Sequence, residues 1–193
     1  SSVAGVTYTF QTRENFTAVD SGTGFYQFIN DTDGEAIPVF EGTEKTKTFF
    51  VGDTGDSQVY VIPDITMDHK TMRVRVFNTA SSPLFDTYTN INKAIRITDD
   101  STFFQIKEAP NGYYEIIFGN GIATGKRPVA GNKIVIDYLS TVGTLANGAT
   151  TFTPTSTFSV NSVAYNISTT TVTVSSGGAY KENIESIRQN API

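Results

Sequence analysis

Apolar and polar residues alternate with a period of two along most of this chain, and that pattern calls for strands. Successive side chains of a strand point to opposite faces, so alternation lets one face be buried and the other wetted. "MRVRVF" places Met72, Val74 and Val76 on one face and Arg73 and Arg75 on the other. "KIVIDY" places Ile134, Ile136 and Tyr138 opposite Lys133 and Asp137. "VTYTFQT" sets Val6, Tyr8 and Phe10 together, and "TTTVTVSS" does the same for Val172 and Val174. Further strands are predicted at 25–29, 36–41, 45–51, 57–62, 94–98, 102–108, 113–118 and 158–167.

Turn chemistry supports the same reading. In "TFFQIKEAPNGYYEIIFG" two strands flank Ala109-Pro110-Asn111-Gly112. Proline presets φ for a turn and Asn-Gly tolerates positive φ, which makes this the clearest hairpin of the chain. Only 17% of the residues are charged, and Thr, Ser, Gly and Asn fill the gap, as in β-rich chains with many turns. One segment changes period. In "SSGGAYKENIESIRQNAPI", Tyr180, Ile184 and Ile187 fall on one helical face, with Glu182 and Glu185 early, Arg188 late, and Asn190 and Pro192 as stop signals. Gly177 and Gly178 precede this helix like a hinge. The expected fold is mainly β, with packed antiparallel or mixed sheets in a sandwich-like arrangement and a short C-terminal helix. The expected organisation is 1–66, an N-terminal β region; 67–176, a second β region; and 177–193, hinge and helix. The weak boundary near 63–70, "PDITMDHK", motivates the first division, and a polar shift occurs at 140–157.

Composition narrows the chemistry. The absence of cysteine excludes disulfides and thiolate metal sites, and a single histidine, His69, leaves no histidine cluster. A net charge of −5 gives no bulk attraction to nucleic acid. No apolar run approaches the ~18–20 residues of a membrane-spanning helix. The start at Ser1 without methionine, and the strand pattern from Val6, read as a piece of a longer protein.

The glycine-rich stretch "YYEIIFGNGIATGKRPVAGNKIVIDY", 113–138, raises the question of a phosphate cradle. A P-loop needs Gly, four residues, Gly-Lys, then Ser or Thr ahead of a helix. Here Arg127 follows Gly125-Lys126, Asn120 stands where the first glycine belongs, and a strand follows. A wide connection between strands is the better reading. "NDTDGE" at 30–35 has the outline of a calcium loop, but an EF-hand register would put ligands at Ile29 and Phe40. "GDTGDS" at 52–57 reads as a turn, and so do His69 between Asp68 and Lys70 and the pair Asp99-Asp100 beside Ser101. Sequons at Asn15, Asn30 and Asn166 are expected by chance in a chain this rich in Asn and Thr. Arg73 and Arg75, with Lys126-Arg127, read as a solvated strand face, and as a surface for an acidic partner only where another protein covers that face. No catalytic, cofactor-binding or metal-binding residue is assigned, and the chain is read as not an enzyme.

Two segments together carry a family resemblance. In the first, Phe118-Gly119-x-Gly121 is followed by Pro128 and Gly131, by the strand from Asn132 to Tyr138, and by Gly-x-x-Ala-Asn-Gly at Gly143 to Gly148. In the second, Gly177 and Gly178 lead to Glu182, Ile187, Arg188, Ala191 and Pro192. In this order the motifs, spanning about half the chain, resemble the large baseplate wedge protein of contractile-tailed bacteriophages, which shares a core with the baseplate J-like proteins. The resemblance implies a structural component of the virion, placed in the tail baseplate and assembled in the host cytoplasm. It implies contacts with other wedge subunits and with copies of itself, no cofactor, and no nucleic-acid or membrane partner. An isolated piece is expected to be monomeric or weakly associated. The rival readings are a carbohydrate- or host-surface-binding β-sandwich and a glycan-cleaving enzyme with two carboxylates across a groove.

Overall fold

The computed structural model describes residues 1–22, 24–30, 36–53, 58–93 and 96–181. The chain is mainly β, in antiparallel and mixed sheets. It divides into two compact units: Thr43–Ser140, and Ser1–Gly42 together with Thr141–Ile193.

In the second of these units, short hairpins dominate. Strands β1 (Ser2–Val3) and β2 (Val6–Thr7) pair, as do β3 (Phe10–Gln11) and β6 (Phe40–Glu41), and β4 (Thr17–Asp20) and β5 (Tyr26–Ile29). The expected single strand "VTYTFQT" is thus split. Tyr8 N–H bonds Ser1 O and Gly42 N–H bonds Thr9 O, which turns the chain between β2 and β3 and leaves Val6 53% exposed.

The continuous unit holds seven strands: β7 (Thr43–Phe50), β8 (Val59–Ile62), β9 (Met67–Phe77), β10 (Phe85–Asn90), β11 (Phe103–Glu108), β12 (Tyr114–Phe118) and β13 (Lys133–Ser140). They form one sheet in the order β7-β13-β9-β10-β11-β12-β8. All neighbours are antiparallel except β10 and β11, whose parallel pairing is reached through a crossover carrying a 3-10 turn at Ile91–Lys93. The segment 63–70, expected as a boundary, instead leads from β8 into β9 of this same sheet.

The sheet curls until its two edge strands approach. Phe49 of β7 meets Tyr60 of β8 with ring centroids 5.2 Å apart. Tyr60 in turn meets Phe118 of β12, and Phe118 meets Tyr88 of β10, both edge to face. The layers that face each other are therefore parts of one nearly closed sheet. Period-two alternation fills its interior. Val74, Ile134, Ile136, Ile116 and Ile62 are fully buried, with Val76, Tyr138 and Phe104 nearly so. Arg73, Arg75, Lys133 and Asp137 lie on the outward side, as the alternation requires.

A β-bulge re-aims β9. The register against β13 jumps between Asp137 and Leu139, so that 69–72 are looped out of the ladder. Thr71, 5% exposed, fills the break. Its hydroxyl donates to Asp68 O at 2.8 Å and accepts Leu139 N–H at 3.0 Å, satisfying two backbone groups that the ladder leaves unpaired.

The 109–112 hairpin forms as its residues dictate. Gly112 N–H donates to Ala109 O and Ala109 N–H to Tyr113 O, both at 2.9 Å. Only Gly112 of the turn takes positive φ, at 81°. Replacing Asn111-Gly112 with Ala-Ala is expected to destabilise this unit by about 1–2 kcal/mol, because alanine at positive φ is strained. A melting midpoint equal to that of the parent chain contradicts the assignment.

Strands β14 (Thr157–Val160) and β15 (Val163–Asn166) form a hairpin where one strand, 158–167, is expected. Asn161 and Ser162 make the turn with φ of 49° and 65°. Its aromatic face joins that of β4–β5: Phe158 lies 5.1 Å from Phe28, and Tyr165 lies 5.1 Å from Tyr26. No strand forms at 169–176, and Val172 and Val174 are 72% and 51% exposed. Residues 96–98 are likewise irregular. The expected terminal helix, with Ile184 and Ile187, lies outside the described residues.

Candidate functional site

Three places gather polar side chains, and two of them bring together residues singled out in the sequence. The first is a groove of about 720 Å³ on the seven-stranded unit, lined by Val51–Asp53, Gln58, Asp99, Asp100, Asn120, Gly121 and Lys126–Ala130. The structure thus gathers three sequence candidates here: the first residues of "GDTGDS", the Asp99-Asp100 pair and the Lys126-Arg127 loop. Asp99 and Asp100 are exposed at a turn in which Ser101 Oγ accepts Thr98 N–H at 3.0 Å. Lys126 is ion-paired to Asp86. Tyr60 Oη donates to Gln58 of the groove lining, and burial raises the Tyr60 hydroxyl pKa, with Arg127 pulling the other way. Burial also raises that of Tyr88, and neighbouring Asp86 adds to it.

The loop that resembles a phosphate cradle is closed by its own side chain. Asn120 Oδ1 accepts the backbone N–H groups of Ile122, Ala123 and Thr124 at 2.9, 2.9 and 3.1 Å. Gly121 N–H donates to Gly125 O at 2.8 Å. The N–H groups that a phosphate would need are turned onto an internal amide oxygen. Asn120, one of the departures from the P-loop pattern, is the residue that organises the loop.

The second place lies around Asp64, which sequence reasoning passed over. Asp64 Oδ1 accepts Thr66 N–H and Thr66 Oγ1–H at 2.9 and 2.6 Å. Its Oδ2 accepts from Lys45 Nζ at 2.8 Å and from Tyr138 Oη at 3.1 Å. The Asp-x-Thr spacing is an Asx-turn signal, but the two distant donors come from the fold. Burial pushes the Asp64 carboxyl upward, yet the donors Lys45, Thr66 and Tyr138 outweigh it and hold the pKa at about 2, below the ordinary 3.8. The same contact, after burial, pushes the Tyr138 hydroxyl up to about 12.

A carboxyl whose pKa is lowered by folding stabilises the fold above its unfolded value and loses that contribution as pH falls through the folded one. Stability is therefore expected to drop by about 1–2 kcal/mol between roughly pH 4 and pH 2. Asp64→Asn should flatten the melting midpoint over that window. An undiminished drop in the variant contradicts the network.

The third place clasps two motifs that are thirty residues apart in sequence. The turn Gly143–Ala146, a 3-10 turn, ends at Asn147. Asn147 Nδ2 donates to Gly178 O at 2.9 Å and Gly178 N–H donates back to Asn147 Oδ1 at 3.0 Å. Ser175 Oγ donates to Ala146 O at 2.6 Å and accepts Ala149 N–H at 2.8 Å. Gly148 N–H bonds Ser175 O at 2.8 Å, and Ser175 N–H bonds Ala149 O at 3.0 Å. A Cβ on Gly178 would lie 2.3 Å from Gly143 O, so only glycine fits. Gly177-Gly178, expected as a hinge, is held here by paired hydrogen bonds.

The remaining candidates stay apart. His69 sits in the β9 bulge with its ring 5.5 Å from that of Tyr114. Arg75 pairs with Asp137 at 2.6 Å. Asn30 is 8% exposed, which removes its sequon from easy reach, while Asn15 and Asn166 are exposed. Residues 31–35 and 54–57 lie outside the described residues. Among the described residues, no group of three or more His, Cys, Asp or Glu is placed to hold a metal ion, and no helix is long and apolar enough to cross a membrane. No protein-family model matches the chain, and no curated protein matches it.

Proposed function

We propose that this chain is a structural part of a phage tail baseplate wedge, working through protein–protein contacts in the assembly. The observation that supports this reading is the clasp. The residues carrying the wedge resemblance, Gly143 to Gly148 and Gly177-Gly178, converge on one another and spend their chemistry on backbone geometry. The "FGNG" loop does the same, since Asn120 closes it internally. Residues used this way set the course of the chain, which is the work of an assembly component. On this reading the chain is not an enzyme, takes no cofactor, and meets other wedge subunits and its own copies in the virion.

The test is the full reading frame and its flanking DNA. A frame several times longer, among genes for tail sheath, tail tube and other baseplate parts, is the expected result. A frame that opens with a secretion signal and ends near Ile193 overturns the proposal.

A further inference from the structure

The outer face of the seven-stranded sheet carries a row of aromatic and cationic side chains that packing within the unit does not explain. Lys133 of β13 stands directly opposite both Phe50 of β7 and Phe77 of β9, and Phe77 stands opposite Phe85 of β10. Register therefore lines up Phe50, Lys133, Phe77 and Phe85 across four adjacent strands. Their inward neighbours Ile134 and Val76 are buried, so the row faces away from the core. Phe50 is 65% exposed and Phe85 44%.

The row is ordered by its own contacts. The Phe77 and Phe85 rings lie 5.0 Å apart. Lys133 Nζ lies 4.3 Å from the Phe77 ring centre, and the Arg75 guanidinium lies 5.7 and 5.5 Å from Phe77 and Phe85. Rings held by cations present a preformed surface, so little side-chain entropy remains to be lost on binding. Clustered Phe with Arg is also the composition of interface centres.

We infer that this face docks an acidic polypeptide segment, whose apolar side chains cover Phe50, Phe77 and Phe85 and whose carboxylates meet Lys133 and Arg75. Charge selects that occupant. The whole chain carries −5, yet the row and its next outward positions bring Lys133, Arg75 and Arg73 against Asp137. Asp137 is already engaged on both oxygens, by Thr46 at 2.6 Å and Arg75 at 2.6 Å. A second copy docking the same face would set cations against cations. The inference stands independently of the baseplate reading.

The probe is a synthetic peptide of about ten residues alternating Glu and Leu, long enough to cross four strands. It is titrated into the isotope-labelled full chain by NMR, beside a Lys-Leu peptide and a neutral oligosaccharide. The expected result is saturable shifts at the amides of Phe50, Lys133, Phe77 and Phe85 with the acidic peptide alone, weakening as salt rises. Lys133→Glu should weaken binding about tenfold or more. Lys133 points outward, and a melting curve confirms that the variant is folded; the mapping on the parent chain needs no variant. Shifts elsewhere, none at all, or equal shifts with the basic peptide overturn the inference. Shifts at the same amides with the oligosaccharide alone assign the face to glycan and overturn it as well. Self-association abolished by Phe85→Ser assigns it to a second copy, with the same consequence.

Discussion

Replacing Ile136 with alanine is expected to lower the unfolding free energy of the seven-stranded unit by about 2–5 kcal/mol. Ile136 is fully buried and stands opposite Val74 on β9, in a strand flanked by partners on both sides. Removing three carbons there loses transfer free energy and leaves a cavity. The walls cannot collapse, because β13 is hydrogen-bonded to both β7 and β9. For a unit of this size the midpoint should fall by about 8 °C or more. Thr48→Ala, on the exposed side of the neighbouring strand, should change stability by no more than about 0.5 kcal/mol. Equal losses for the two variants contradict the inward-outward alternation on which the fold rests.

The second large effect concerns the clasp. Gly178→Ala is expected to cost about 1–3 kcal/mol, since the new methyl would meet the Gly143 carbonyl and the Asn147 side chain, 2.3 and 2.8 Å away in the parent geometry. Asn147→Ala removes both hydrogen bonds to Gly178 from the other side, at a cost of about 1–2 kcal/mol. The two changes break one feature, so the double variant should lose less than the sum. Hydrogen exchange gives the local readout. The amides of Gly148 and Ser175, which bridge the two segments, should exchange faster in each variant, while those of β13 stay protected. Unchanged exchange at Gly148 and Ser175 contradicts the clasp.

The parts of the fold legible in the sequence were those where local pattern and burial agree. β9 and β13 alternate because one side of each faces a closed core, and Val74, Ile134 and Ile136 reported that directly. The 109–112 turn was legible because proline and glycine act on their own backbone. β10, "FDTYTN", gave no signal, because Tyr88 is its one buried residue and its stability comes from pairing with β9 and β11. The β14–β15 hairpin reads as one strand because Asn161-Ser162 carries neither glycine nor proline to announce a turn; the only trace is a one-residue slip in phase, Phe158 and Val160 sharing a face with Tyr165 and Val163. Val172 and Val174 show the converse, since alternation without a covering partner leaves both exposed.

The candidate sites follow the same rule. Asn120 was visible as a departure from a phosphate-binding motif, but its threefold role as an acceptor depends on the loop's path. The Asp64 network was half legible. Asp-x-Thr announces a turn, whereas Lys45 and Tyr138 arrive from strands 19 and 74 residues away. The outer aromatic row needed the register of four strands, which no local pattern encodes.

The measurement that bears most directly on the baseplate reading is immunogold electron microscopy of tailed particles. Particles come from the bacterium carrying this reading frame, and the antibody is raised against the chain. The account predicts label at the distal end of a contractile tail, absent when the reading frame is deleted. Label confined to the cell envelope, or particles with complete baseplates after deletion, would contradict it.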